Sequence, residues 1–134
     1  VIVAPPGHRL AKRKRIQLKE LEKEVFLVRE AGSGTRGARE RFFRENKLKL
    51  TTGMGMGSLS SIKQGVQASL GLGLLPRDAV LVELQLGHLV ELRVRGLPIK
   101  RHWYVVLHKG KRLSLAAEEF KSLLVDEAVE LLRD

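Results

Sequence analysis

The sequence predicts an α/β fold with a largely parallel sheet, on three observations. Short apolar runs of strand length alternate with segments of helical period along the chain. The run Val25–Val28 is apolar without alternation, as in a strand buried on both faces, and it meets a glycine-rich turn and a helix at once. No internal repeat and no low-complexity linker interrupts the alternation.

Taken in order, Val1–Ala4 is a β-branched apolar run closed by Pro5, Pro6 and Gly7, which reads as a strand and a turn. Leu18–Lys23 carries a short helical period, and Val25–Val28 is the buried strand. From Arg36 to Asn46 an amphipathic helix is expected, with Ala38, Phe42 and Phe43 near one face, the arginines on the other, and Asn46 as its stop. Leu50–Met56 is threaded with Gly53, Gly55 and Gly57, which suggests an irregular strand approached closely by another backbone or a ligand. Ser58 is placed as an N-cap, with Ile62, Val66 and Leu70 four apart as a core stripe. Gly71–Pro76 supplies a helix stop and a short buried strand, and Pro76 opens a helix through about Leu84 that ends at Gly87. Val90, Leu92 and Val94 alternate with Glu91, Arg93 and Arg95, so one face of that strand is packed and the other wet. Trp103–Leu107 reads as a buried strand. After a turn at 109–111, Ser114 caps a long helix with apolar positions at Ala117, Phe120, Leu124, Ala128 and Leu131.

With 134 residues, 43% of them hydrophobic, the chain can bury one domain-sized core or form two small lobes. Charged residues make up 30%, and no apolar run approaches the ~20 residues a bilayer span requires, so a soluble protein is expected. The opening VIVAPP has neither a positive leader nor a small-residue cleavage site, so secretion is not indicated. The lack of cysteine excludes disulfides, thiolate catalysis and cysteine-based zinc sites. Lys and Arg number 25 against 15 Asp and Glu, and the net charge of +10 predicts attraction to anions without choosing among them. The densest cationic run, Lys12–Arg15, reads as a solvated loop. Aromatic residues are scarce and none alternates with it, which argues against a base-stacking platform.

The segment EAGSGTRGARERFF, Glu30–Phe43, holds a glycine-x-glycine-x-x-glycine pattern at Gly32, Gly34 and Gly37. A dinucleotide clasp would also need an acidic residue roughly 20 positions on, for the ribose hydroxyl. None lies between Glu45 and Asp78, and the lysine–Ser/Thr ending of a phosphate-binding loop is missing too. What remains is the physics beneath the motif: a glycine-rich turn opening a helix aims several N–H groups at one spot, with the positive end of the helix dipole behind them. Ser33 and Thr35 add hydroxyls, and Arg36 adds a planar fork suited to carboxylate or phosphate. The dipole offers about 0.3–1 kcal/mol. One charge-assisted hydrogen bond offers about 1.5–3 kcal/mol, so Thr35 and Arg36 would dominate the grip on an anion. The other reading is that Ser33 or Thr35 caps its own helix and Arg36 lies in solvent.

Catalytic and metal chemistries find little support. His8, His88, His102 and His108 have no carboxylate or second histidine at ligand spacing. Ser33 and Ser58 do not sit in a nucleophile elbow with a convincing downstream acid and histidine. Met54 and Met56 read as core filling, and Trp103 as packing. No catalytic residue, metal ligand or cofactor is expected.

Three stretches, REAGSGTRGARERFF, GSLSSIKQGVQASLGLGLLP and GHLVELRVRGLPIKRHWYVVLHKGKRLSLAAEEFKSLL, occur in an order that resembles the effector-binding domain of LysR-type transcription regulators. VIVAPPGHRLA is similar to that family's strand–turn, with Arg9 where proline is usual. RHWYVVLHKGKRLS looks most like the subgroup controlling carbon dioxide fixation genes. The resemblance implies a periplasmic-binding-protein-like (type II) fold, with an effector cleft between two lobes. Residues 1–98 would form the second lobe, and 99–134 the return crossover and the C-terminal part of the first. On that map Gly32, Ser33, Gly34, Thr35 and Arg36 face the cleft and Ser58 starts a helix beside it. The family's winged helix–turn–helix and the first part of lobe one have no counterpart here. The implied function is sensing of a small anionic metabolite in a cytoplasmic homo-oligomer, dimer or tetramer, that meets DNA only through the N-terminal domain and no membrane. Apolar area and an open sheet edge are expected, with pairing to a second copy. A solute-binding protein of a transporter shares the fold and is the alternative; a phosphate-handling enzyme is a third class, without a visible acid, base or metal set.

Overall fold

A computed structural model describes residues 1–128. The chain divides into two compact units, Val1–Ile99 and the residues from Lys100 onward. The first contains a five-stranded sheet in the order β3-β2-β4-β1-β5. Its strands are β1 (Ile2–Ala4), β2 (Val25–Arg29), β3 (Thr51–Met56), β4 (Leu72–Leu74) and β5 (Val90–Glu91). β2 lies parallel to both β3 and β4, while β1 is antiparallel to β4 and to β5. Four of the five strands therefore point one way and β1 alone is reversed, so the sheet is largely parallel.

Period-two alternation divides the core between the two faces of this sheet. Ile2, Ala4, Phe26, Val28, Leu72 and Leu74 pack on one face. Val1, Val3 and Leu27 pack on the other. Helix α1 (Gly34–Glu45) covers the first face through Phe43, whose ring lies 5.8 Å from that of Phe26. Helix α2 (Leu59–Gln67) covers the second through Ile62 and Val66. It can lie close because β4 carries Gly73: a Cβ there would meet Ile62 and Val66 at 3.1 Å. A 3-10 turn at Leu18–Lys23, another at Asp78–Val80 and α3 (Leu81–Gln85) complete the unit, and Gly87, at φ +70°, ends α3.

Several local expectations are corrected. Arg39 is only 6% exposed, not on a wet face, because it stands four residues before Phe43 and so shares its stripe. Leu70 is 53% exposed: Ser69 turns left-handed (φ 61°) and directs the chain off the helix before Leu70 can join Ile62 and Val66. Met54 is 61% exposed rather than core filling, because the β2–β3 register slips between Phe26 and Val28 and leaves Met54 in the bulge of an edge strand. Met56 does pack against the core. β5 keeps its alternation, with Leu92 and Val94 buried and Arg93 and Arg95 exposed, but its ladder covers two residues and is extended only by a bridge from Val94 to Ile16.

In the second unit, Trp103–Leu107 is not a buried strand. Among the described residues no segment pairs with it, and a strand without a ladder partner leaves its side chains in water; Trp103 is 86% exposed. Helix α4 (Leu115–Ser122) starts where expected, the Ser114 hydroxyl accepting from the Ala117 amide at 3.3 Å, and passes into a π-helical turn at Leu123–Glu127. Phe120, Leu123 and Val125 stay exposed. Leu131 lies outside the described residues.

Candidate effector site

The site is assembled by the parallel pairing of β2 and β3. Their last matched residues are Arg29 and Met56, so the Glu30–Ser33 turn and the Gly57–Ser58 turn leave neighbouring strands at the same, C-terminal end. Ligands of open α/β sheets collect at that end. Gly32 makes the first turn possible, in the left-handed region at φ +86°, while the Ser33 amide bonds back to the Glu30 carbonyl at 3.3 Å.

The first helical bond of α1 runs from the Gly37 amide to the Ser33 carbonyl at 2.9 Å. The amides of Gly34, Thr35 and Arg36 precede it and have no helical acceptor. Ser33 occupies the N-cap position in extended backbone, yet its side chain makes no capping bond. Gly32 and Gly34 are exposed, and Ser33, Thr35 and Arg36 are half-buried, so the turn is open without being detached from the domain. Arg36 is not loose in solvent. Its Nε donates to Glu40 Oε1 at 2.7 Å and its Nη1 donates to the Arg29 carbonyl at 3.3 Å.

Ser58 is arranged differently. Its hydroxyl accepts from the Ser61 amide at 3.0 Å and bonds the Ser61 hydroxyl at 2.8 Å, so it caps α2.

Two carboxylates temper the positive charge here. The Arg29 guanidinium grips Glu30 through Nε at 2.7 Å and Nη2 at 2.5 Å, and that hydrogen bonding holds the Glu30 carboxyl well below the usual carboxylate range. The hydrogen bond from Arg36 likewise lowers Glu40. Both carboxylates stay ionised at neutral pH, and Glu40 occupies part of the Arg36 fork. Sequence reasoning missed Arg29, Glu40 and Arg39. The i,i+4 spacing of Arg36 and Glu40 was a readable signal for one of them. Among the described residues no three His, Asp or Glu side chains gather into a metal-ligand set. His8 instead pairs with Glu24 at 3.3 Å.

This geometry belongs to a recognised group of domains: the LysR substrate binding domain matches residues 1–129. The chain belongs to the LysR substrate-binding domain family. Among its relatives is a RuBisCO operon transcriptional regulator of Allochromatium vinosum, 43% identical over 98% of this chain and 43% of that protein. The transcriptional activator CmpR of Synechocystis is 41% identical over 98% of the chain and 44% of its own length. The chain thus spans less than half of either regulator. The regulatory domain of CcmR from Synechocystis PCC6803, solved in complex with 2-PG, superposes with a TM-score of 0.88. It is 32% identical, over 99% of this chain and 63% of that one. The sheet order and the two covering helices are therefore those of a LysR substrate-binding domain, and the relatives include regulators named for the RuBisCO operon.

Proposed function

We propose that this LysR domain senses a small anionic metabolite at the Gly32–Arg36 turn and so controls transcription by the regulator that contains it. The observation that carries the reading is the uncapped entrance of α1 at the C-terminal end of the parallel strands, where three amides have no partner among the described residues and Arg36 stands beside them. Gly32, Ser33, Gly34, Thr35 and Arg36 hold the anion, and Ser58 borders it. The likeness to a regulatory domain bound to 2-PG supports a ligand of that charge. In this reading residues 1–98 are the second lobe and 99–134 return to the first, whose remainder supplies the opposing wall. The domain performs no catalysis. It works in a cytoplasmic oligomer in which DNA is contacted by a separate winged helix–turn–helix segment, and the exposed Trp103–Leu107 and Phe120 side chains are covered by lobe one. An effector that binds one arrangement of lobes better than another shifts the population of DNA-bound geometries by its differential affinity.

Calorimetry of the regulator containing this domain, titrated with 2-PG and separately with inorganic phosphate, tests the assignment. Arg36→Ala should weaken binding about tenfold, the loss of one charge-assisted hydrogen bond. Unchanged affinity would remove the turn from the site.

A further inference from the structure

The least expected side chain in the molecule is Arg39. Its guanidinium is buried, its Nη1 has no hydrogen-bond partner among the described residues, and its nearest counter-charge is Glu40 Oε1 at 3.7 Å from Nη2. Burial pushes the Arg39 guanidinium down from its ordinary value, but a group that starts so high stays charged at neutral pH. A cation withdrawn from water normally has a partner close by.

Arg39 lines an open concavity of about 520 Å³ below the C-terminal half of α1. Arg44, Lys47 and Lys49 stand around the same space, and Glu40 is the one acidic side chain lining it. Four cations against one carboxylate give the lining a charge of +3, and Glu22 borders it, accepting from the Lys49 amide at 3.4 Å. Phe43, Leu48 and Leu50 give it an apolar floor, and Thr52 contributes a hydroxyl. The backbone fixes the rim: Lys47 is held left-handed at φ 55°, and the Leu48 amide bonds back to the Phe43 carbonyl at 2.9 Å. A second basic concavity, about 670 Å³ between Lys14–Arg15 and Arg93–Arg95, differs in that its four cations are all exposed and water satisfies them. Of the two, only the Arg39 space contains a buried guanidinium with an unpartnered nitrogen, its one counter-charge no nearer than 3.7 Å.

We infer that this concavity is a second anion site, separate from the α1 entrance, for a small metabolite that carries a carboxylate or phosphate on a short carbon body. The anion completes the partners of Arg39, with Arg44, Lys47 and Lys49 supplying long-range attraction, while the carbon body lies on Leu48 and Leu50. Its lining begins at Arg39, one turn past the Gly32–Arg36 entrance, and Glu40 is the one side chain that both share.

Amide and arginine Nε NMR spectra of the full 134-residue chain would be followed through titrations with inorganic phosphate and with succinate, against sodium chloride at equal ionic strength. The expected result is a saturable shift of the Lys47–Thr52 amides and the Arg39 Nε signal, larger in one arm if phosphate or carboxylate is preferred. Arg39→Met should abolish the shift. The exposed pair Lys47→Ser/Lys49→Ser, which leaves the core alone, should weaken it at least about fivefold, while Arg36→Ala, which removes no lining group, leaves the shift saturable. Shifts that match the chloride control, or that persist in both the Arg39 and the lysine variants, would overturn the second site. Shifts confined to Gly32–Arg36 would overturn it too and leave the sensing role of that turn intact.

Discussion

Two helices begin at the same edge of this sheet, each behind a serine, and they begin differently. Ser58 turns its hydroxyl onto the Ser61 amide, so α2 satisfies one of its own orphan donors. Ser33 holds the same position before α1 and leaves its hydroxyl out of the cap. Propensity alone does not explain this, since serine suits both places. The flanking chain differs: both serines are extended, but Gly32 before Ser33 is left-handed at φ +86° and Gly57 before Ser58 is not. The lesson is that a helix entrance keeps its donors open to an outside partner when its internal cap is withheld.

The largest effect expected on this contrast comes from Phe43→Ala, which unseats α1 from Phe26 and should cost about 3–5 kcal/mol in a urea titration. Binding at the α1 entrance should vanish with it, and loss of that ring without a shift in midpoint would mean α1 is not anchored there. Next, Ser58→Ala should destabilise by about 1 kcal/mol, the ordinary cost of losing an N-cap. Ser33→Ala should cost only a few tenths of a kcal/mol, since no capping bond is lost; equal penalties at the two serines would erase the contrast. The smallest effect is one of pH. The Glu40 carboxyl is lowered by its bond from Arg36, so its contribution is complete above the ordinary carboxylate pKa of about 4.3 and fades as pH falls through the depressed native value. Carboxyl NMR should find Glu40 titrating below the ordinary carboxylate value, and Arg36→Ala should bring it back toward that value.

Much of the sheet was legible because a doubly covered strand has a plain signature. In Val25–Val28 the structure buries Phe26 and Val28 in one core and Leu27 in the other, while Val25, expected buried, is 41% exposed where the strand starts. The Ser58 and Ser114 caps were legible for a local reason, the hydroxyl reaching an amide three residues on. Arg39 was not, because charge was allowed to outvote spacing. Trp103–Leu107 was misread as a buried strand because its composition describes one, whereas its exposure agrees with the apolar area that the resemblance implied. The roles given to Gly32–Arg36 and Ser58 came from a local motif and a resemblance; the closing of Glu40 onto Arg36 was signalled by their i,i+4 spacing and passed over.

That carboxylate has a consequence of its own. Its Oε1 lies 2.7 Å from Arg36 and 3.7 Å from Arg39, so a single negative atom is divided between two guanidinium groups. If an anion claims Arg36, Glu40 is released toward Arg39; if one claims Arg39, Glu40 settles more firmly on Arg36. Each occupant thereby raises the competition the other must meet, and thermodynamic reciprocity makes the two penalties equal. One turn of helix would then weigh two metabolite pools against each other, with Glu40 as the pivot of the balance.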